Sequence, residues 1–404
     1  MSTTLLYHAF GHHGCQYKKT DFEGGEMTLV ANLPKSKFSC SSCKSSNAKP
    51  RGSVLRQWRT LPIGGKPVHL EMEVPRIQCN NCGSLRVSRV QFASPRKSYT
   101  KSFERYVIEL LKMGTILDVA NHLQISWHLV KTIQKENLQK TFGNPDLKDI
   151  RRLAIDEISI GKQHNYLTVA LDLDTGAVVY VGDGKGADSL TDFWNRVTKV
   201  KANIEAVAVD MSPAYTKAVS ENLPGTLIVY DHFHVIKLYN DRLSDLRRSL
   251  YREVKDDDQK KVLKGTRWLL LKNNENLDPE RDERDRLQAA LDLNKPLATA
   301  YYMKEELKLI WSYTNKTEAE IEFDNWVSTA LQSEVDMLVR FAKTMIKHKS
   351  GILAFYDCPI STGPLEGTNN KIKTMQRQAY GYRDKEFFKL KIYAIHKAKH
   401  RLVG

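Results

Sequence analysis

Leu153-Ala-Ile-Asp-Glu157 and Val207-Ala-Val-Asp-Met211 decide how this chain folds. Each is a short apolar run ending on an aspartate, the pattern of a buried strand that delivers a carboxylate to the edge of a sheet. Between them, residues 166–173 and 177–182 alternate as a hairpin around Asp174-Thr-Gly176, and 189–200 carries Phe193, Trp194 and Val197 at helical spacing. Beyond them, 213–223 reads as a helix with Pro213 at a start position, and 226–230 as a strand ending at Asp231. The order β, β, β, α, β, α, β is that of a ribonuclease-H-like domain.

Downstream of Asp231 the period becomes helical, as in 238–254 and 296–311, and the composition becomes highly charged. A stretch this long is too long for a loop, so a helical insertion is expected at about 238–348. Trp268 and Trp311 fall within it; aromatics can stack on unpaired bases, but packing in helix cores is the reading favoured for both. The segment Asp231-His-Phe-His234 follows a strand end directly. Asp231 and His234 are possible supporting residues of a site, and a structural role, burying Phe233 and starting the inserted helices, is favoured.

Upstream, residues 101–138 hold three helices. The last pair, 115–123 and 127–140, is joined by three residues with Ser126 as N-cap, the layout of a helix-turn-helix. The N-terminal residues of the second helix would meet base edges, which makes Trp127, His128 and Lys131 candidate DNA contacts. Before these helices, a hairpin with a Gly64-Gly65 turn is bracketed by Cys40-Ser-Ser-Cys43 and Cys79-Asn-Asn-Cys82. Two such pairs can bring four thiolates to one tetrahedral Zn²⁺, a staple that a segment with so thin a core needs. Cys15 and Cys358 stand alone, and residues 1–37 have no assignable function.

The formal net charge of +15 points to a polyanionic partner. It is unevenly placed: residues 1–150 carry +11, 151–370 carry −4 and 371–404 carry +8. Both ends therefore read as nucleic-acid surfaces. No apolar run is long enough for a membrane helix and no secretory signal begins the chain, so a soluble, cytoplasmic protein is expected, with reduced cysteines that favour metal over disulfides.

Phosphodiester chemistry needs charge neutralised at the scissile phosphate and a nucleophile activated, which two Mg²⁺ (or Mn²⁺) ions held by hard oxygen ligands supply. Asp156 and Asp210, at the ends of adjacent strands, are the candidate ligands. The third candidate is Glu366, in Thr362-Gly-Pro-Leu-Glu-Gly-Thr-Asn-Asn370, where a Gly- and Pro-bearing turn leads into a basic helix read as 369–379. Glu157 would point to the opposite face of its strand and ranks below Asp156. Lys371, Lys373 and Arg377, along the basic helix, are placed to hold backbone phosphates.

Several ordered motifs together resemble the ISL-three family of insertion-sequence transposases. They are Arg56-Gln-Trp-Arg-Thr-Leu-Pro-Ile-Gly-Gly-Lys-Pro-Val-His-Leu70 before the second cysteine pair, Val119-Ala-Asn-His-Leu-Gln-Ile-Ser-Trp-His-Leu-Val130, Ile155-Asp-Glu-Ile158, Val209-Asp-Met211, Tyr230-Asp-His-Phe-His-Val235, Arg267-Trp-Leu-Leu-Leu-Lys272 and Leu365-Glu-Gly-Thr-Asn-Asn-Lys-Ile-Lys373. The resemblance runs from about Cys40 to Lys399. It implies a multidomain α+β and α/β protein with a zinc ribbon (38–95), a helix-turn-helix (96–143) and a ribonuclease-H-like catalytic domain with a helical insertion (150–404). Asp156, Asp210 and Glu366 would be its metal ligands, with Asp231 the alternative for the second position. The implied function is binding of an element's terminal inverted repeats, hydrolysis that exposes a 3′-hydroxyl, and attack of that hydroxyl on target DNA by a homodimer on double-stranded DNA. A non-catalytic DNA-binding regulator derived from a transposase is the alternative.

Overall fold

The computed structural model describes residues 5–161 and 165–396, so Met1 to Thr4 and the end of the resembling stretch, up to Lys399, lie outside the described residues. The chain forms two compact units. One comprises residues up to Asn144 together with Asp384–Lys391, the other Pro145–Arg383 with Ile392–His396.

The first unit contains α1 (Leu5–His8), β1 (Gln16–Glu23), β2 (Glu26–Asn32), β3 (Ala48–Ile63), β4 (Lys66–Cys79), β5 (Leu85–Val87), α2 (Lys101–Leu110), α3 (Ile116–Leu123) and α4 (Trp127–Phe142). Gly64 and Gly65 both take positive φ, +55° and +78°, which closes the β3–β4 hairpin with a turn that L-residues resist. The strands run in the order β1-β2-β4-β3, with β5 on the far part of β4. Their core is Leu6, Phe10, Leu29, Trp58, Val68, Leu70, Met72 and Phe92. The N-terminal segment, unassigned in sequence, thus has a structural job: it contributes Leu6, Phe10 and all of β1 and β2. His12 is buried there against the Thr60 hydroxyl at 2.9 Å, and burial holds its pKa down to about 4. Caps set the helical part: Thr115 forms a capping box with Asp118, and the Ser126 hydroxyl accepts from the Leu129 N–H. Gln124, in the left-handed region at φ +54°, turns α3 into the α4 connection.

The second unit opens with β6 (Arg152–Ser159), β7 (Tyr166–Asp172), β8 (Val178–Asp183), α5 (Thr191–Val200), β9 (Ala206–Val209), α6 (Pro213–Asn222) and β10 (Leu227–Tyr230). The sheet order is β10-β9-β6-β7-β8, with β6, β9 and β10 parallel and β7 antiparallel to both neighbours, a ribonuclease-H-like sheet. The insertion follows as α7 (His232–Glu253), α8 (Asp257–Gly265), α9 (Glu283–Leu293), α10 (Lys295–Leu309), α11 (Lys316–Gln332) and α12 (Asp336–Leu353). It begins at His232, earlier than the hydrophobic period suggested, because the Asp231 carboxylate caps α7 by accepting from the Phe233 N–H. Phe233 itself is 49% exposed, so burying it is not what starts the helix. Trp268 also departs from expectation: it is 65% exposed rather than in a helix core. Its turn is pinned by the buried Lys304 ammonium, which donates to the carbonyls of Leu270 and Lys272 at 2.8 Å each. The chain closes with α13 (Gly363–Gln378) and α14 (Lys385–Tyr393). No helix of the described residues is long and apolar enough to cross a membrane.

Candidate active site

Strand register brings the acidic residues into one row. β6 and β9 pair in parallel with Leu153 beside Val207 and Ala154 beside Ala208; two residues further on, Asp156 stands level with Asp210. On the other side of β9, Tyr230 pairs with Val209, so Asp231 is level with Asp210 as well. Neighbouring strands lie about 4.8 Å apart, and level residues of parallel strands share a face. Asp210 and Asp231 therefore stand just past the carboxyl ends of β9 and β10, the edge where open α/β sheets bind ligands. Asp156, level with them, does not end its strand as the sequence suggested, because β6 stays paired with β7 through Ser159.

The three are held differently. Asp156 accepts from the Glu157 N–H at 2.8 Å on Oδ1 and from Asn369 Nδ2 at 2.9 Å on Oδ2. Burial pushes its carboxyl above the usual range; the Glu157 N–H and His234 oppose this, and the nearby Asp210 charge adds to it. Asp210 is half-buried and accepts from the Ser212 N–H at 2.9 Å on Oδ1. Asp231 is 2% exposed and its carboxylate is already engaged. It accepts from Phe233 N at 3.0 Å, from Thr362 N at 3.0 Å and from the Thr362 hydroxyl. Glu157 faces elsewhere, accepting from the Tyr215 hydroxyl at 2.9 Å.

Helix α13 starts at Gly363, not at Asn369 as the sequence suggested, because Pro364 fits the first turn of a helix, where its missing N–H costs nothing. Glu366 consequently lies in the first helical turn and not in a preceding loop. Thr362, at the N-cap, is tied to Asp231 beyond β10, and Asn369 is tied to Asp156 on β6. Seven residues of helix rise about 10 Å, which matches two strand spacings. Glu366 lies midway between the two ties and on the same helical face, exposed, and among the described residues its carboxylate is not gathered with those of Asp156 and Asp210 within 4.8 Å. A third tie, Gln376 Nε2 to the carbonyl of Ile160 just past β6, continues the docking. Glu366, Lys371, Lys373 and Arg377 are exposed, and Lys371 Nζ lies 3.3 Å from His396 Nδ1.

The donors at this edge are hard oxygens, as Mg²⁺ or Mn²⁺ requires, and the buried Asn369 Oδ1 beside Asp156 has no partner among the described residues, so the residues present fit a hydrated divalent cation. Among the described residues only the four cysteines already gather three or more ligand atoms of His, Cys, Asp or Glu within 4.8 Å. Cys40 and Cys82 are 3.7 Å apart and Cys43 and Cys79 3.5 Å, close to the roughly 3.8 Å edge of a tetrahedron with Zn–S bonds near 2.3 Å. The cluster fits one structural Zn²⁺.

At the start of α4, Trp127 is 47% exposed and stacks on His128 with ring centroids 3.7 Å apart. Lys131 is engaged: with Lys135 it binds Asp384 at 3.0 Å, and its ammonium lies 5.5 Å over the Phe387 ring. Burial raises the Asp384 pKa, but the Phe387 N–H and the two lysines together hold it well below the usual range. Sequence reasoning missed both Asp384 and Asn369. For Asp384 the available signal was its place as a cap ahead of a helix, accepting from Phe387 N; for Asn369 it was one turn's spacing from Glu366.

A zinc ribbon, a helix-turn-helix and a ribonuclease-H-like sheet edged with carboxylates define a DNA-processing protein. Residues 153–392 match a family described as transposase, 36–82 the zinc-finger of transposase IS204/IS1001/IS1096/IS1165, and 88–136 the helix-turn-helix domain of transposase family ISL3. The chain belongs to the ISL3 family of insertion-sequence transposases. It is 34% identical over 358 residues to the transposase for insertion sequence element IS1001 of Bordetella parapertussis, covering 88% of each chain. It is 28% identical over 395 residues to the transposase for IS1557 of Mycobacterium tuberculosis, covering 91% of this chain and 88% of that one. The solved Drosophila P element transposase strand transfer complex is similar at a TM-score of 0.37 and 10% identity, covering 76% of this chain and 94% of that one.

Proposed function

We propose that Asp156, Asp210 and Glu366 are the catalytic carboxylates with which this transposase cuts the ends of its element and joins them to target DNA. What supports this is the docking of α13, which is tied through Thr362 to Asp231 and through Asn369 to Asp156, with Glu366 on the stretch of helix between the two ties. When bound by these three side chains, two Mg²⁺ or Mn²⁺ ions would neutralise the scissile phosphate and activate the nucleophile. Asp231 is the anchor of α13 and not the second ligand, since it is 2% exposed and accepts three hydrogen bonds, two of them on Oδ2 from Thr362. His234, which opposes the upward push on the Asp156 carboxyl, is the supporting residue. Lys371, Lys373 and Arg377 grip the DNA backbone beside the cut, while Trp127, His128 and Lys131 read the inverted repeat. Joining two ends calls for two copies of the chain on DNA, inside a bacterial cytoplasm.

The test is cleavage and strand transfer on a labelled duplex carrying the element's own end, with Mg²⁺. Asp156→Ala, Asp210→Ala and Glu366→Ala should each lose both steps by about a thousandfold or more while still binding the duplex. An intact protein that binds the end and never cuts it would make the chain a regulator. A second expectation concerns affinity. Asp384→Asn should free Lys131 and Lys135 for phosphates, tightening binding to random duplex and steepening the salt dependence of log K by up to about 2. An unchanged slope would mean that neither lysine reaches DNA.

A further inference from the structure

We propose that Asn369 is a positioning residue of the cation site: its amide nitrogen fixes the Asp156 carboxylate, and its amide oxygen takes a hydrogen bond from a hydration water of the divalent ion held there. The proposal rests on Asp156 being a metal ligand. Asn369 is 6% exposed, and its Nδ2 reaches Asp156 Oδ2 at 2.9 Å. The opposite amide orientation would set two oxygens against each other, so the nitrogen is assigned to this contact by the bonding itself. That leaves Asn369 Oδ1 in the immediate surroundings of the carboxylate, buried and without a partner among the described residues. A buried carbonyl oxygen calls for a donor, and the carboxylate beside it offers none when ionised. Hydrated Mg²⁺ or Mn²⁺ brings donors, because such ions keep several waters when bound by only a few carboxylates.

The bonding on Asp156 agrees with this. One oxygen takes the Glu157 N–H and the other takes Asn369, so the carboxylate plane is set from both sides while each oxygen keeps a lone pair for a cation. Docking alone does not account for Asn369. Gln376, two turns along the same helix, holds the residue just past that strand through the Ile160 carbonyl and hydrogen-bonds no carboxylate among the described residues. The two amides therefore separate a role in holding the helix from a role in holding the ligand.

The experiment measures Mn²⁺ binding to the zinc-loaded full chain without DNA, from the loss of the free-ion electron paramagnetic resonance signal, alongside thermal unfolding. Asn369→Leu should weaken Mn²⁺ binding roughly tenfold to a hundredfold, the usual loss for a residue supporting a metal ligand, with the melting temperature kept. Gln376→Leu should leave Mn²⁺ affinity unchanged, and Asp156→Asn should abolish binding at the site. If Asn369→Leu does not fold, Asn369→Ser, too short to reach Asp156 but adding no bulk, replaces it with the same expected loss. Unchanged Mn²⁺ affinity in the Asn369 variant, or an equal loss in Gln376→Leu, overturns the inference while leaving the carboxylates in place. Full Mn²⁺ binding by Asp156→Asn overturns the assignment of Asp156 itself.

Discussion

Stripping zinc with a strong chelator, or replacing Cys79 by serine, should open the cysteine end of the N-terminal unit to protease while the rest of that unit stays folded. The division follows from where its apolar side chains are. Trp58, Val68, Leu70 and Met72 bury the turn-side half of the β3–β4 hairpin together with Leu6 and Phe10. The other half has little: residues 49–53 are all exposed, and Cys40, Ile77 and Cys79 supply most of what is buried near the cluster. Zinc binding to such sites is worth about 10 to 16 kcal/mol, far more than those few side chains, so the loops at Cys40–Cys43 and Cys79–Cys82 should lose their order first. Limited proteolysis mapped by mass spectrometry, with zinc content measured in parallel, is the check. Cuts confined to residues 36–53 and 76–87 are the expected pattern; a zinc-free chain with the protease resistance of the loaded one would show that the thiols need no metal to hold this end.

Asp231→Ala should strongly destabilise the second unit, for a reason distinct from chemistry. It removes the cap of α7 and leaves the buried Thr362 N–H, the Thr362 hydroxyl and the Phe233 N–H without their acceptor. Breaking such a network costs about 3 kcal/mol, a fall in melting temperature on the order of 10 °C for a unit of this size. Because α13 hangs from this tie, cleavage should fail too. Asp210→Ala should fail in cleavage with no fall in melting temperature, since it loses only one turn bond and relieves the repulsion on Asp156. Calorimetry and the cleavage assay on both variants separate the roles. Equal stability of Asp231→Ala and the intact chain would remove the anchor from this account.

Much of the architecture was legible because its determinants are local. Apolar runs ending at Asp156 and Asp210, a Gly-Gly turn between two Cys-x-x-Cys pairs, and Ser126 ahead of a helix each place an element by spacing within a dozen or so residues. Helix starts were read less well where a cap or a proline overrides hydrophobic period, as at Asp231 before α7 and Pro364 in α13. Trp268 was misread because periodicity says which residues are apolar but not which of them stay outside.

The sequence by itself determined the modules, their order and the aspartates that follow β9 and β10, while Asp156 proved to lie inside β6. Tertiary structure alone decided what those groups touch: Asn369 meets Asp156 across 213 positions, Thr362 meets Asp231 across 131, and Lys135 meets Asp384 across 249. Local spacing carries no information about such pairs, since they form only when helices and strands pack. That packing makes Asp231 an anchor of α13 and Asn369 a neighbour of Asp156.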